Sequence, residues 1–260
     1  MNLNRNNPPL ISPANLAEKV AGHKEVLLMM DYDGTLVSIM PRPDLARPDK
    51  ELLKILEQLC RLPKYTLAVL SGRRPEELRE LLPVPGLYLG GVHGAVIISP
   101  DGDFIPLQAR TGVEKIITTL CKLADECIKN QPGFLIENKR YALAIHYRLA
   151  GFEPAEKVLE SFIKESKRLR RQFDLELLKG KEILEVRPKG LHKGNAVSWL
   201  KKNLPQAFFV FLGDDTTDED AFKCIENGLG VLVSEHLRPS NASLRLKSPL
   251  EVQKFLELLA

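Results

Sequence analysis

The sequence lacks several features that would assign it to common functional classes. Its four cysteines include no CxxC pair, which argues against a zinc site or a disulfide framework and indicates thiols in a reducing compartment. No apolar run approaches the roughly 20 residues that a membrane span needs. The net charge is only +3, so nothing requires a nucleic-acid or membrane partner. We therefore expect a cytoplasmic monomer that binds neither nucleic acid nor membranes.

Two further absences exclude other functional classes. No GxxxxGK[ST] loop is present, which argues against a kinase, and the N-terminus lacks the apolar core of a signal peptide. We expect residues 1–13 to form a flexible tail. The chain has 260 residues, 44% hydrophobic and 27% charged, which suffices for one large domain or two smaller ones.

The most informative segment is the sequence DYDGTL after the apolar run 26–30. That run predicts a buried strand, at whose end Asp31 and Asp33 lie two positions apart. Two buried acids are costly unless a cation compensates them, and Mg²⁺ takes carboxylate ligands together with substrate phosphate. One acid can act as a nucleophile, and the other can donate and accept the proton.

A second apolar strand also ends in a loop that carries polar residues. The run 65–70 predicts a strand that ends in Ser71 and Gly72, before a helix that begins at Pro75. Strands alternating with helices predict a parallel sheet, whose ligands bind at the carboxyl ends of the strands. Ser71 and Gly72 can hold a phosphate there. His93, within the glycine-rich sequence GGVHG, is a candidate substrate contact.

The C-terminal part contains another apolar strand that is followed directly by acidic residues. The apolar strand 207–212 ends in GDDTTDED, where we expect Asp214 to bind the metal, oriented by Asp215 or Asp218. Lys193, before the predicted helix 195–201, is placed to bind a phosphate or the acids. We expect 230–233 to be the last strand.

Between these parts the order of elements becomes helix, hairpin, helix, hairpin. This predicts an α+β cap over residues 109–188, inserted into a core domain of residues 14–108 and 189–260. One face of the cap sheet is polar, and we expect it to cover the Asp31 loop and bind a polyhydroxylated ligand. The residues expected on that face are Glu137, Lys139, His146, Arg148, Glu185 and Arg187.

The motifs DYDGTL, SGR, GVHGA, HYR, EVRP, HKG and GDDTTDEDAF, in this order, resemble those of trehalose-6-phosphate phosphatases in the haloacid dehalogenase superfamily. The resemblance implies an α/β fold, with a Rossmann-like parallel-sheet core and an inserted α+β cap. It also implies a Mg²⁺-dependent phosphatase acting on a small sugar phosphate, trehalose 6-phosphate, through an aspartyl-phosphate.

The resemblance implies a role for each matching residue. Asp31 is the nucleophile and a metal ligand, Asp33 is the acid/base and a ligand through its carbonyl, and Asp214 completes the metal site. Ser71 and Lys193 hold the phosphoryl group. Glu137, Lys139 and Glu185 contact the sugar. The alternatives are a phosphatase for sucrose phosphate or mannosyl-phosphoglycerate, a sugar phosphomutase, or a non-enzymatic disaccharide-phosphate sensor.

Overall fold

The structure, a computed structural model, describes residues 7–107, 112–180 and 182–260. Within these residues the chain forms two compact units, the first made by 7–107 and 192–260 and the second by the residues between. Six residues of the expected tail, the expected core–cap boundary at 108–109, and residue 181 lie outside the described ranges.

The first unit is an α/β domain in which helices separate most of the parallel strands along the chain. Its strands are β1 (Val26–Met30), β2 (Tyr65–Leu70), β3 (Tyr88–Gly91), β4 (Val96–Ile98), β5 (Phe104–Pro106), β10 (Phe208–Gly213), β11 (Gly228–Val233) and β12 (Leu244–Leu246). Its helices are α1 (Pro13–Ala21), α2 (Lys50–Arg61), α3 (Pro75–Leu81), α6 (Lys193–Asn203), α7 (Glu219–Lys223) and α8 (Pro249–Leu259).

These strands form one sheet in the order β12-β11-β10-β1-β2-β3-β4-β5. All neighbours pair in parallel except β4 and β5, which add an antiparallel edge. Alternate residues of β1 belong to two different core clusters, so this central strand is buried on both faces. This explains its uninterrupted apolar sequence.

Helix α3 begins where the sequence predicts, whereas α6 begins at Lys193, two residues before the predicted start. The Asp49 carboxylate accepts a hydrogen bond of 2.7 Å from the amide of Leu52 and caps α2. The apolar residues of α2 recur at helical spacing and lie in the core beside β2. Pro75 is the first residue of α3, where its missing amide hydrogen costs nothing.

The second unit has one helical layer and one antiparallel sheet. Its elements are α4 (Val113–Ile128), β6 (Leu135–Asn138), β7 (Leu143–His146), α5 (Phe152–Gln172), β8 (Leu175–Gly180) and β9 (Ile183–Pro188). The sheet order is β6-β7-β9-β8. Leu143, Ile145, Leu184 and Val186 are buried and lie on one face of this sheet. No helix in the described ranges is both long enough and apolar enough to span a bilayer.

Two expectations about the first unit require correction. The described part of the expected tail is ordered, because Pro9 and Ile11 exchange backbone hydrogen bonds with Arg245, each of 2.9 Å. In addition, 228–233 is not the last strand. The edge strand β12 follows it, and its three residues are too short to give a periodic signal in the sequence.

Candidate active site

The carboxyl ends of β1 and β10 carry the candidate nucleophile and metal ligand. These strands are parallel neighbours, and the amide of Asp31 donates to the carbonyl of Leu212 at 2.9 Å. Asp31 follows β1 and Asp214 follows β10, so their side chains leave the same edge of the sheet. Carboxylate oxygens of Asp31, Asp214 and Asp218 all lie within 4.8 Å of one another.

Gly34 is required by this convergence for two reasons. Its φ of +89° is a conformation that side-chain-bearing residues rarely adopt. A Cβ at this position would also overlap with the carboxylate of Asp214. The glycine of the DYDGTL motif therefore lets the loop after β1 approach the loop after β10.

Lys193 lies among the acids. It is the first residue of α6, and its side chain is 3% exposed. Its Nζ is 2.5 Å from Oδ1 of Asp31 and 2.7 Å from Oδ1 of Asp218. The cluster thus contains one ammonium and three carboxylates, which leaves an excess of negative charge in a buried place.

The pKa shifts of the acids reflect this imbalance. Burial raises the pKa of Asp31 well above its ordinary value; Lys193 opposes this rise, whereas the charges of Asp218 and Asp214 add to it. Burial and the charge of Asp218 raise the pKa of Asp214 to about 7. The Oδ1 atom of Asp214 is buried and has no hydrogen-bond partner among the described residues. Clustered carboxylates with a spare oxygen fit a hard divalent cation such as Mg²⁺.

The second acid of the motif, Asp33, is held by Arg73. The Nε and one terminal nitrogen of the guanidinium each donate to a different oxygen of Asp33, both at 2.8 Å. This two-point geometry fixes the plane of the carboxylate as well as its position. The side chain of Asp33 is 38% exposed, so a substrate atom can still reach it.

Arg73 is fixed in turn by its other contacts. It donates to Glu77 and to the carbonyl of Pro43, and it lies over the ring of Tyr32 at 5.1 Å from the centroid. Burial alone lowers the pKa of Arg73, but the hydrogen bonds and charges of Asp33 and Glu77 outweigh burial and raise it. Arg73 is not among the predicted site residues, although a charged residue so soon after a buried strand is an available signal.

The loop after β2 brings Ser71, Gly72 and His93 together. Ser71 is buried, and its Oγ accepts a hydrogen bond of 3.2 Å from the backbone amide of Arg73. A Cβ on Gly72 would lie 2.6 Å from Cε1 of His93, so only glycine allows the imidazole to pack there. His93 has a φ of 55° and donates its amide to the carbonyl of Ser71 at 2.9 Å. The structure thus places His93 against the candidate phosphate loop.

Asp218, and not Asp215, approaches the acidic cluster. The Oδ2 atom of Asp218 accepts the amides of Asp214 and Asp215, both at 3.0 Å, while its Oδ1 binds Lys193. The carboxylate of Asp215 instead accepts the amide of Thr216 at 2.6 Å and caps the following turn. Of the two residues expected to orient Asp214, the structure therefore selects Asp218.

Four polar residues gather on the sheet of the second unit. The carboxylate of Glu137 lies 3.0 Å from Nε2 of His146, and that of Glu185 lies 3.1 Å from Nζ of Lys139. The same ammonium is 4.0 Å from Glu137 and so joins the two pairs. Burial opposes the ionisation of Glu137, but His146 and Lys139 outweigh burial and lower its pKa.

The two arginines expected on that face have other partners. Arg148 follows β7 and pairs with Glu182 at 2.7 Å, with both side chains more than 40% exposed. Arg187 is nearly buried and pairs with Glu176 on the neighbouring strand at 3.0 Å. The expected set of six thus divides into one group of four and two separate ion pairs.

The parallel sheet, with its acids at the strand ends, has the fold of the haloacid dehalogenase-like class. A haloacid dehalogenase-like hydrolase from Bacteroides thetaiotaomicron shares the fold, with a TM-score of 0.66 at 17% identity over 90% of this chain and 99% of that one. The trehalose-phosphatase family model matches residues 29–249. The chain belongs to the trehalose-phosphatase family.

Solved structures and sequence relatives agree with this placement. The chain matches the C-terminal domain of Candida albicans trehalose-6-phosphate phosphatase with a TM-score of 0.80 at 26% identity, over 99% of both chains. It matches an Aspergillus fumigatus trehalose-6-phosphate phosphatase with a TM-score of 0.68 at 30% identity, over 97% of this chain and 98% of the other.

The sequence relatives are longer proteins. Arabidopsis thaliana trehalose-phosphate phosphatase B is 31% identical over 91% of this chain, and the chain spans 66% of that relative. An uncharacterized glycosyl hydrolase of Mycobacterium tuberculosis is 33% identical over 90% of this chain, which spans 18% of it.

Proposed function

We propose that this protein is a Mg²⁺-dependent phosphatase that hydrolyses trehalose 6-phosphate to trehalose and phosphate. Its family and the names of its relatives support the substrate. The observation that carries the chemistry is the convergence of Asp31, Asp214, Asp218 and Lys193 beside an arginine-held Asp33. Such a site suits attack by a carboxylate on phosphorus.

In the first step, an oxygen of Asp31 forms a bond to phosphorus while the bond from phosphorus to the sugar oxygen breaks. Asp33 gives its proton to the departing sugar oxygen. Arg73 donates one hydrogen bond to each oxygen of Asp33, and each oxygen keeps a second lone pair that can carry the proton. The products of this step are free trehalose and a phosphorylated Asp31.

In the second step, a water molecule attacks the phosphorus of the phosphorylated Asp31. Asp33 takes the proton from this water, the bond between phosphorus and the Asp31 oxygen breaks, and phosphate leaves. Lys193 neutralises negative charge on the phosphoryl oxygens in both steps, with Ser71 and the amide of Gly72 as additional donors. Asp218 keeps the ammonium of Lys193 in place.

The side chains of Asp31 and Asp214 and the backbone carbonyl of Asp33 would hold the metal ion. When bound, Mg²⁺ supplies positive charge that neutralises the phosphoryl oxygens and the crowded carboxylates. The spare oxygen of Asp214 is available for this role.

The second unit recognises the sugar in this proposal, and residues 109–188 act as the inserted cap. Glu137, Lys139, His146 and Glu185 offer charged donors and acceptors, which suit hydroxyl groups because each hydroxyl both donates and accepts. We place the reaction in the cytoplasm, on the support of four free cysteines, and we propose that the protein works as a monomer.

The decisive experiment measures phosphate release from trehalose 6-phosphate, sucrose phosphate, mannosyl-phosphoglycerate and glucose 6-phosphate, each with and without Mg²⁺. We expect the highest kcat/KM for trehalose 6-phosphate and no release after chelation. Preference for another of these substrates contradicts the substrate assignment. Isomerised sugar phosphate without free phosphate indicates a phosphomutase, and binding without turnover indicates a sensor.

A further inference from the structure

A hydrogen-bonded network holds the backbone carbonyl of Asp214 and takes no part in the two chemical steps of the proposed reaction. One terminal nitrogen of Arg238 donates to the backbone carbonyl of Asp214 at 2.9 Å, and the other donates to Glu219 at 2.8 Å. The remaining oxygen of Glu219 accepts both the backbone amide and the side-chain amide of Asn241, at 2.8 and 2.7 Å. This network links the loop after β10 to the loop before β12.

The fixed side chain of Glu219 can hold Arg238 in one orientation. Glu219 is 3% exposed and accepts three hydrogen bonds, so its carboxylate is fixed. The fixed carboxylate of Glu219 orients the guanidinium of Arg238, because two nitrogens of this planar group must donate to two separate acceptors at once. The carbonyl of Asp214 is the second of these acceptors.

The backbone of Asp214 is therefore held from two sides. Its amide donates to Asp218 at 3.0 Å, and its carbonyl accepts from Arg238. Its carboxylate keeps one buried oxygen without a hydrogen-bond partner among the described residues. A rigid backbone with an available carboxylate oxygen is the arrangement expected of a pre-organised metal ligand.

We propose that Arg238 and Glu219 are positioning residues that hold Asp214 in the geometry a Mg²⁺ ion requires. This inference rests on the metal site of the proposed function. Mg²⁺ demands near-ideal octahedral geometry, whereas Ca²⁺ accepts flexible and irregular coordination. The network consequently favours Mg²⁺ over Ca²⁺, and its loss reduces this preference.

The test measures binding of Mg²⁺ and of Ca²⁺ alone to the whole protein by titration calorimetry, without any substrate. Arg238→Lys keeps the charge but cannot donate to Glu219 and to Asp214 in the same fork geometry. Glu219→Gln keeps the shape but removes the charge that orients Arg238. Arg61→Lys is the matched control, since Arg61 lies on α2 with its side chain 74% exposed.

We expect both variants to weaken Mg²⁺ binding about 10- to 100-fold, the usual effect of losing a group that orients a metal ligand. We expect Ca²⁺ binding to weaken much less, and the control to bind both ions as the wild type does. Thermal unfolding of the metal-free proteins shows whether either variant fails to fold. If one of them does, the ion affinities of the other variant test the inference.

Three results would overturn the inference: unchanged Mg²⁺ affinity in a folded variant, an equal loss for both ions, or a wild-type protein that binds no Mg²⁺. The substrate assignment is tested separately. A wild-type protein that binds Mg²⁺ but releases no phosphate from trehalose 6-phosphate contradicts the proposed function alone, and the affinity ratios of the variants still decide the role of Arg238.

Discussion

Buried cations control the orientation of the acids in the first unit. Lys193 connects Asp31 to Asp218, and Arg73 holds both oxygens of Asp33. Each cation faces more than one acid, so replacing it leaves uncompensated buried charge as well as a lost contact. The roles of single residues are therefore best tested with substitutions that preserve shape.

The nucleophile assignment predicts the effect of Asp31→Asn. The amide cannot attack phosphorus, so we expect turnover to fall by at least about 10³-fold. The size is nearly unchanged, so we expect the circular dichroism spectrum to match that of the wild type. Turnover within tenfold of the wild type would contradict the assignment.

The pairing of Arg73 with Asp33 predicts the effect of Arg73→Lys. A lysine cannot bind both oxygens of Asp33 in one plane, so the acid/base loses its orientation. We expect kcat to fall about 10- to 100-fold, at or below the roughly 100- to 10,000-fold contribution of a positioned acid, because the acid is misoriented and not removed. Arg79→Lys, at an exposed position of α3, is the control. A change in KM alone would show that Arg73 contributes to binding and not to proton transfer.

Two cysteines, Cys121, which is buried, and Cys60, which is partly buried, allow a prediction about thiol reactivity. Burial raises the pKa of Cys60 and of Cys121 to about 11, with the charge of Asp125 adding to the shift at Cys121. At pH 8 this leaves about 100-fold less thiolate than at an ordinary cysteine, and the thiolate is the reactive form. We expect alkylation of both to be at least tenfold slower in the native protein than in denaturant, by peptide mass spectrometry. Equal rates would show that both sites are open.

At the scale of elements, strand pairing explains the polar group of the second unit. Ala144 of β7 is in register with Glu137 of β6 on one side and with Glu185 of β9 on the other. Residues directly opposite each other in a sheet share a face, so these two acids flank a small alanine. Lys139, in the turn after β6, reaches both acids.

This arrangement predicts a change in substrate discrimination for Glu185→Gln. The variant keeps an acceptor but loses the charge paired with Lys139, and so weakens recognition of sugar hydroxyls. We expect KM for trehalose 6-phosphate to rise about tenfold and kcat/KM for p-nitrophenyl phosphate to change less than twofold. Glu160→Gln, exposed on α5, is the control. Equal losses for both substrates would contradict a role in sugar recognition.

At the scale of the whole molecule, the charge imbalance of the first unit predicts stabilisation by metal. The cluster contains three carboxylates and one ammonium, so a bound Mg²⁺ relieves repulsion that the folded state otherwise bears. A ligand at 100 times its Kd stabilises the folded state by about 2.7 kcal/mol, which corresponds to a rise in Tm of about 5–10 °C for a unit of this size. We expect calorimetry to show this rise.

Asp214→Asn is the companion variant for this measurement. It removes one ligand charge with little change in shape, so we expect the rise in Tm with Mg²⁺ to disappear and EDTA to have no further effect. An undiminished rise would place the metal elsewhere in the molecule.

The sequence was sufficient to predict the elements that carry the site. The apolar runs before Asp31, Ser71 and Asp214 gave the strands, and their parallel pairing follows from the intervening helices. The sequence could not reveal β12, whose three residues have no periodicity, or the pairing of the N-terminal segment with Arg245. Both features involve only a few residues each, too few for burial to leave a periodic pattern in the sequence.

What the sequence by itself determined is the convergence of acids at one edge of a parallel sheet, because each acid directly follows a strand that must be buried. Only the tertiary structure decided which side chains meet within that edge. It paired Arg73 with Asp33, selected Asp218 in preference to Asp215, and placed Arg238 on the carbonyl of Asp214. These contacts join residues from separate loops, and their geometry depends on side-chain directions that no local pattern specifies.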